Sequence, residues 1–427
     1  MIMIRSKSLE RMAGMLLLLA LLMGSGAAQL HAEAGPIALK RGVSVHEWLN
    51  WAPLAPSGEY KWPPYQELKD WGSARDFERI KAMGFDFVRL SVDPGPLLAA
   101  DGDRLTEALA RLERDVHGVM GSGLKVILDL HPVSQVPAWS AKALEVPADQ
   151  PLALRYRAVV AATATMLARL GTDRTALELM NEPQFYPCDG SGGRQWEVVL
   201  TGLVQAARST APDLTLIVSG ACGGNIKGLV QLDPARLGDD RLLYSFHFYE
   251  PLDFTHQGVA EAHDVKGAPW PVDEQAIAGA LTASERRLKR DESLAPSERA
   301  GRLASVRQYL ADYAAEGWNE DRLRTRFGEL RVWAKQHGVP ASQLLLGEFG
   351  VMAAKDDRGG ALDPDRLRWL EAVRKEAEAL GAPWAYWEYS NPSGMSLTSP
   401  DKTRRADPVA LKALGLAAKT AELPVGN

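Results

Sequence analysis

From residue 35 onward the chain alternates short apolar runs with longer amphipathic stretches. The runs lie at 42–45, 85–92, 125–131, 176–180, 214–219, 242–249, 344–351 and 385–389. Each is too short for a buried helix and rich in branched or aromatic residues, so they predict strands, most of them covered on both faces. Between them apolar residues return at helical spacing. Leu105, Leu109, Leu112, Val116 and Val119 mark a helix over 103–120, and others are expected over 73–83, 152–170 and 194–209. Ser73 is the expected N-cap of the first.

Eight strand runs separated largely by helical segments predict a closed (β/α)8 TIM barrel. Parallel strands need long crossovers, and eight tilted strands leave an interior that side chains just fill. One interval is too long for a simple crossover: almost 95 residues separate Tyr249 from Leu344. It predicts a helical insertion between strand 6 and strand 7, at about 252–320, ahead of the sixth barrel helix. Within it, 252–275 is expected to be a loop carrying His256, His263 and Trp270, and 273–292 a charged helix with Pro296 as its stop. Leu323, Phe327, Leu330 and Trp333 place the barrel helix over 321–337. The insertion is expected either to decorate the surface or to wall the cleft at the strands' carboxyl ends.

The first 34 residues stand apart. Arg5, Lys7 and Arg11 precede an apolar stretch over 12–23 and then small residues, the pattern of an export signal rather than of a span, which needs roughly 20 apolar residues. The mature chain is thus expected to be a single catalytic domain over 35–427, secreted or periplasmic, monomeric and without stable membrane insertion. A net charge of −5 gives no footprint for nucleic acid. Cys188 and Cys222 follow the fourth and fifth strands on one rim, and in an oxidising compartment they are expected to pair as a disulfide.

The chemistry gathers where strands stop. Ala176-Leu177-Glu178-Leu179-Met180 runs into Asn181-Glu182-Pro183, and Leu344-Leu345-Leu346 runs into Gly347-Glu348-Phe349-Gly350. Two strand-end glutamates about 165 residues apart suggest a carboxylate pair assembled by the fold. The remaining strand ends offer His46, Arg89, His131, His247 with Tyr249, and Trp387. Twelve tryptophans against nine phenylalanines also leave aromatic faces for sugar rings, with Trp48, Trp139 and Trp270 as candidate outer platforms. Glu388 follows Trp387 and is expected on the other face of its strand, as a structural partner.

This ordered set resembles glycoside hydrolase family 5, the cellulase-like retaining glycosidases, over essentially the whole mature chain. The resemblance implies that Glu182 is the acid/base, Glu348 the nucleophile, and Arg89, His131, Asn181, His247, Tyr249 and Trp387 sugar-site residues. His46, Trp48 and Trp139 are further substrate-contact candidates. Apart from the resemblance, the chemistry of a glycosidic bond asks for one protonated and one ionised carboxyl about 5 Å apart. The expected activity is therefore hydrolysis of a β-linked oligo- or polysaccharide, favouring an endo-β-1,4-glucanase over a mannanase, xylanase, β-1,3-glucanase or exopolysaccharide hydrolase. No cofactor or metal is expected. A metal hydrolase using His46, His131 and His247 would want closely paired histidines and a ligating aspartate, and a silent polysaccharide-binding barrel would want one glutamate lost.

Overall fold

The apolar runs fold as eight parallel strands that close in chain order, β1 pairing with β8. The strands are β1 Arg41–Leu49, β2 Phe87–Val92, β3 Lys125–Leu130, β4 Thr175–Glu178, β5 Thr215–Ser219, β6 Leu242–His247, β7 Leu344–Phe349 and β8 Trp384–Tyr386. The computed structural model describes residues 35–67, 74–354, 358–392 and 394–416. The expected export signal and Ser73 lie outside the described residues. Among those described, no helix is long and apolar enough to cross a membrane.

Crossover helices wrap the strands: α1 Arg75–Ala82, α2 Gly102–Gly121, α3 Pro151–Leu170 and α4 Ser191–Arg208. Only two short turns, Ile226–Leu229 and Pro234–Arg236, lie between β5 and β6. Between β6 and β7 come α5 Glu274–Arg290, α6 Pro296–Glu316 and α7 Glu320–His337, and α8 Asp363–Leu380 joins β7 to β8. The fold is a (β/α)8 barrel with a helical insertion between strands 6 and 7. Pro296 corrects the expected order there, because it opens α6 instead of only ending α5. A proline in the first turn loses no intrahelical bond, so the same residue that stops one helix starts the next.

The inside of the barrel is layered. Phe87, Ile127, Ala176, Ile217, Leu243, Leu345 and Ala385 form an apolar plug at the amino-terminal end. Gly42 makes room for it, since a Cβ there would meet the Phe87 ring at 2.2 Å. Two residues further along the strands the interior turns polar, with Ser44, Arg89, Asp129, Glu178, Ser219 and Ser245, all buried. The plug seals one end, and the chemistry is confined to the other.

The insertion is anchored at both ends. Helix α7 packs as a barrel helix, Phe327 against Phe246 and Phe248 and Trp333 against Tyr244. Helices α5 and α6 pair as a hairpin around the carboxylate of Asp264, which takes Arg302 at 2.6 Å and also Arg287. Tyr309 and Tyr313 of α6 donate to the carbonyls of Asp253 and Pro269, docking the hairpin on the loop after β6.

If the plug is a stability element only, Phe87→Ala should lower the free energy of unfolding by about 3–5 kcal/mol. Denaturant titration reads that loss, and turnover per folded molecule should stay unchanged.

Candidate active site

Glu348 reaches the interior through a break in the strand pattern. Leu345 belongs to the plug, so strict alternation would turn Gly347 inward and Glu348 out. The register between β6 and β7 shifts between Phe246 and His247, setting Glu348 opposite His247. Gly347 permits it, because a Cβ there would lie 2.4 Å from Ser245 Oγ and 3.0 Å from the His247 ring. A bulge of this kind re-aims one side chain. The Glu348 carboxylate then accepts from Arg89 Nη1 at 2.6 Å and from the Tyr249 hydroxyl at 2.8 Å.

Glu182 arrives differently. Strand β4 ends at Glu178, and the backbone continues by bonding its neighbours, Leu179 N–H to Ile217 and Asn181 N–H to Leu130. Glu182 itself has φ 41°, a left-handed conformation that costs a non-glycine residue about 1–3 kcal/mol unless its surroundings fix it. They do: Gly223 N–H donates to the Pro183 carbonyl, and Gly224 lies against the Glu182 backbone. Cys222, adjacent to Gly223, is disulfide-bonded to Cys188 with Cα atoms 5.7 Å apart, so the loops after β4 and β5 are tied beside Glu182.

One carboxylate oxygen of Glu182, one of Glu348 and a ring nitrogen of His247 lie within 4.8 Å of one another. His247 Nδ1 is 2.9 Å from Glu182 and 3.5 Å from Glu348. Both carboxyls are pushed up to about 7, chiefly by burial. For Glu182 the Arg89 charge opposes this and Asp129 and Glu178 add to it; for Glu348 His247 and Arg89 oppose it and Glu182 adds. Glu182 keeps 35% of its side-chain surface open to the cleft, whereas Glu348 keeps 5%. Two such groups so close share their protons. Glu348, paired with the obligate donor Arg89 and accepting from the Tyr249 hydroxyl, is the one held ionised.

Beneath them Arg89 is fully buried. Its Nε and Nη2 donate to Glu178 at 2.6 and 3.0 Å, and Nη2 also reaches Asn181 Oδ1 at 2.8 Å and Asp129 at 3.1 Å. His131 lies 2.7 Å from Asp129 and stacks on Trp387, with ring centroids 5.7 Å apart. His46 lies 4.9 Å from His131 and 4.8 Å from Trp387, centroid to centroid. All three histidines are shifted down, chiefly by burial, and His247 least, because Glu348 and the other nearby carboxylates oppose the shift.

Some expectations do not survive. Trp48 and Trp270 are 1% and 0% exposed and pack the core, so neither is a sugar platform. The outward aromatic of the first loop is Trp51, 38% exposed, its ring 5.9 Å from His46. Trp139 is half-buried on the turn Pro137–Trp139 and packs against the outer core. The histidines do not converge as metal ligands: His131 is tied to Asp129 and Asn181, His247 to Glu182. Glu182, His247 and Glu348 are the one trio among the described residues near enough to hold an ion. Arg89, already on Glu348, is a fixed cation that competes for that place. Glu388 is wholly buried and accepts from Asn391, apart from the pair.

Asp129, Glu178, Trp51 and Tyr186 were not expected at the site. The first two carried a signal, a charge inside an otherwise apolar strand run on β3 and β4. Tyr186, 54% exposed, follows Glu182 in its loop and feels its charge.

The profile of the family described as cellulase (glycosyl hydrolase family 5) matches residues 57–393. Among curated proteins the chain is 26% identical over 222 residues to endoglucanase 3 of Fibrobacter succinogenes, covering 50% of this chain and 29% of that one. It is 29% identical over 203 residues to cellodextrinase A of Ruminococcus flavefaciens, covering 47% and 58%. The chain therefore spans less than two thirds of the length of either relative. Among solved structures, the cellulose synthase subunit Z of Clostridioides difficile superposes with a TM-score of 0.59 at 23% identity, covering 88% of this chain and 99% of that one.

A carboxyl whose pKa is higher folded than unfolded binds more protons in the native state, so its contribution to stability falls as pH rises from about 4 to about 7. Glu182→Gln should remove that cost without taking away a carboxylate that Arg89 contacts. The variant is expected to be more stable than the parent at about pH 8, with the gap closing near about pH 4.5 in thermal unfolding.

Proposed function

Because the chain belongs to glycosyl hydrolase family 5, the cellulase family, we propose that it is an exported retaining hydrolase of β-linked glycan, acting as an endo-β-1,4-glucanase. The observation that carries this is the approach of one Glu182 oxygen and one Glu348 oxygen to within 4.8 Å. Retaining pairs stand about 5–5.5 Å apart, and inverting pairs about 6.5–9.5 Å, to admit a water between them.

In the first step Glu348, ionised by Arg89 and Tyr249, attacks the anomeric carbon while Glu182 gives its proton to the leaving oxygen. Loss of charge on Glu348 then lowers the pull that kept Glu182 protonated. Glu182 next takes a proton from water, which hydrolyses the glycosyl ester. Asn181 Nδ2 donates to the 2-hydroxyl, and Trp387 on its His131 support is the floor for the reacting ring.

The relatives' names, an endoglucanase and a cellodextrinase, support β-1,4-glucan as substrate. Endo action is supported by outward aromatics on two sides of the pair, Trp51 beside His46 and Tyr186 beyond Glu182. Mannan, xylan, β-1,3-glucan and exopolysaccharide are the alternatives within the same chemistry, since loops around a common centre set sugar identity.

Soluble carboxymethyl-cellulose should yield reducing ends and a spread of product sizes. Proton NMR should find the β-anomer first; the α-anomer appearing first would overturn double displacement. Glu348→Ala should lower kcat by about 10⁴-fold or more.

The parent's rate should fall as pH rises past about 7, where Glu182 loses its proton. On an aryl cellobioside whose leaving group needs no proton, Glu182→Ala should retain the glycosylation step and lose that alkaline fall.

A further inference from the structure

Asp129 is a buried carboxylate that the two-step chemistry does not use, yet hydrogen-bond polarity can be followed outward from it atom by atom. Arg89 carries donors only, and the two hydrogens of its Nη2 go to Glu178 Oε1 and to the Asn181 oxygen 2.8 Å away, which therefore accepts. Asp129 Oδ2 pairs with the same nitrogen as an ion at 3.1 Å and is also 2.7 Å from His131 Nδ1. A carboxylate paired with a guanidinium has no proton to give, so it accepts here and Nδ1 carries the ring proton. His131 is neutral, and its Nε2 is therefore bare and must accept. It lies 3.2 Å from Asn181 Nδ2.

The Asn181 amide is thus fixed from both ends, oxygen toward Arg89 and nitrogen toward His131. One hydrogen on Nδ2 is taken by His131, which leaves the second for a ligand beside Glu182. A flipped amide would set N–H against N–H at Arg89 and present an oxygen where the sugar needs a donor.

We infer that Asp129 is a positioning residue: by holding His131 as its Nδ1–H tautomer, it turns the Asn181 amide so that one N–H meets the 2-hydroxyl of the reacting sugar. This deepens the proposed hydrolase and rests on it for the identity of the ligand, but the tautomer is a property of the free protein. Asp129 Oδ1 has no hydrogen-bond partner among the described residues. Asp129→Asn can therefore keep an accepting oxygen at Oδ2 and put its amide nitrogen at Oδ1, whereas Asp129→Leu removes the acceptor at similar size.

The test compares the parent and both variants on an aryl β-cellobioside and on its analogue lacking the 2-hydroxyl of the reacting sugar. Both variants remove an anion that faces Arg89, so each carries a loss common to the two substrates. Asp129→Leu should lose about a further 10- to 100-fold, the size expected for one hydrogen bond, in kcat/KM on the first substrate relative to the second. Asp129→Asn, which keeps the acceptor, should lose equally on both. Nitrogen-15 shifts of His131 should report Nδ1–H in the parent and in Asp129→Asn, and a mixture of tautomers in Asp129→Leu. Equal losses on the two substrates in Asp129→Leu, or an Nε2–H tautomer in the parent, would overturn the relay. A parent that cleaves neither substrate would sink the hydrolase reading instead, with the parent's tautomer still deciding the relay even if Asp129→Leu does not fold.

Discussion

The site depends on one buried cation. Arg89 has no exposed surface and meets three carboxylates, Asp129, Glu178 and Glu348, within 3.1 Å. A lone guanidinium in this interior would be prohibitively costly, and so would three lone carboxylates; together they offset each other only if geometry is held closely. That constraint explains the layer they occupy. Glu178 takes two donors of the guanidinium and fixes its plane, Asp129 takes a third direction, and the remaining arm is left to point at Glu348. Two anions largely compensate Arg89 before Glu348 is counted, so Glu348 is oriented by the cation without being made inert. A nucleophile must keep some of its basicity.

The rest of the barrel serves this cluster from two directions. Below, the apolar plug denies water a path from the amino-terminal end, which keeps the local dielectric low and the charge pairing strong. Above, the chain places the two glutamates by unlike devices. Glu348 is turned inward by a bulge that only Gly347 allows, and Glu182 is held in a left-handed turn by the disulfide-braced loop after β5. Backbone strain at Glu182 persists because Pro183, Gly223 and Gly224 over-determine the loop.

Much of this was legible in the chain. Eight apolar runs announced the barrel, the gap after Tyr249 announced the insertion, and the strand-end residues Arg89, His131, Asn181, Glu182, His247, Tyr249, Glu348 and Trp387 do come together. The failures have physical reasons. Trp48 is the penultimate residue of β1 and packs into the core, and Trp270 sits in a loop where periodicity gives no face, so neither burial is legible from spacing, and the outward aromatic after β1 is Trp51. Pro296 is ambiguous in sequence, because proline's fixed φ suits the first turn of a helix as well as a stop. Glu178 and Asp129 show little of their role in sequence, since an acidic residue inside an apolar strand gains its meaning only from Arg89 on β2 beside it. Three charges on three successive strands were the available signal.

The central claim is that Glu348, oriented by Arg89, forms a covalent bond to the sugar. A 2-deoxy-2-fluoro-β-cellobioside with a good leaving group slows the second step more than the first, so the intermediate accumulates, and intact mass followed by peptide mapping locates it. One fluorocellobiosyl unit esterified to the peptide containing Glu348 is the predicted result. A label on another residue, or turnover of this reagent with no covalent adduct at any stage, would contradict the account.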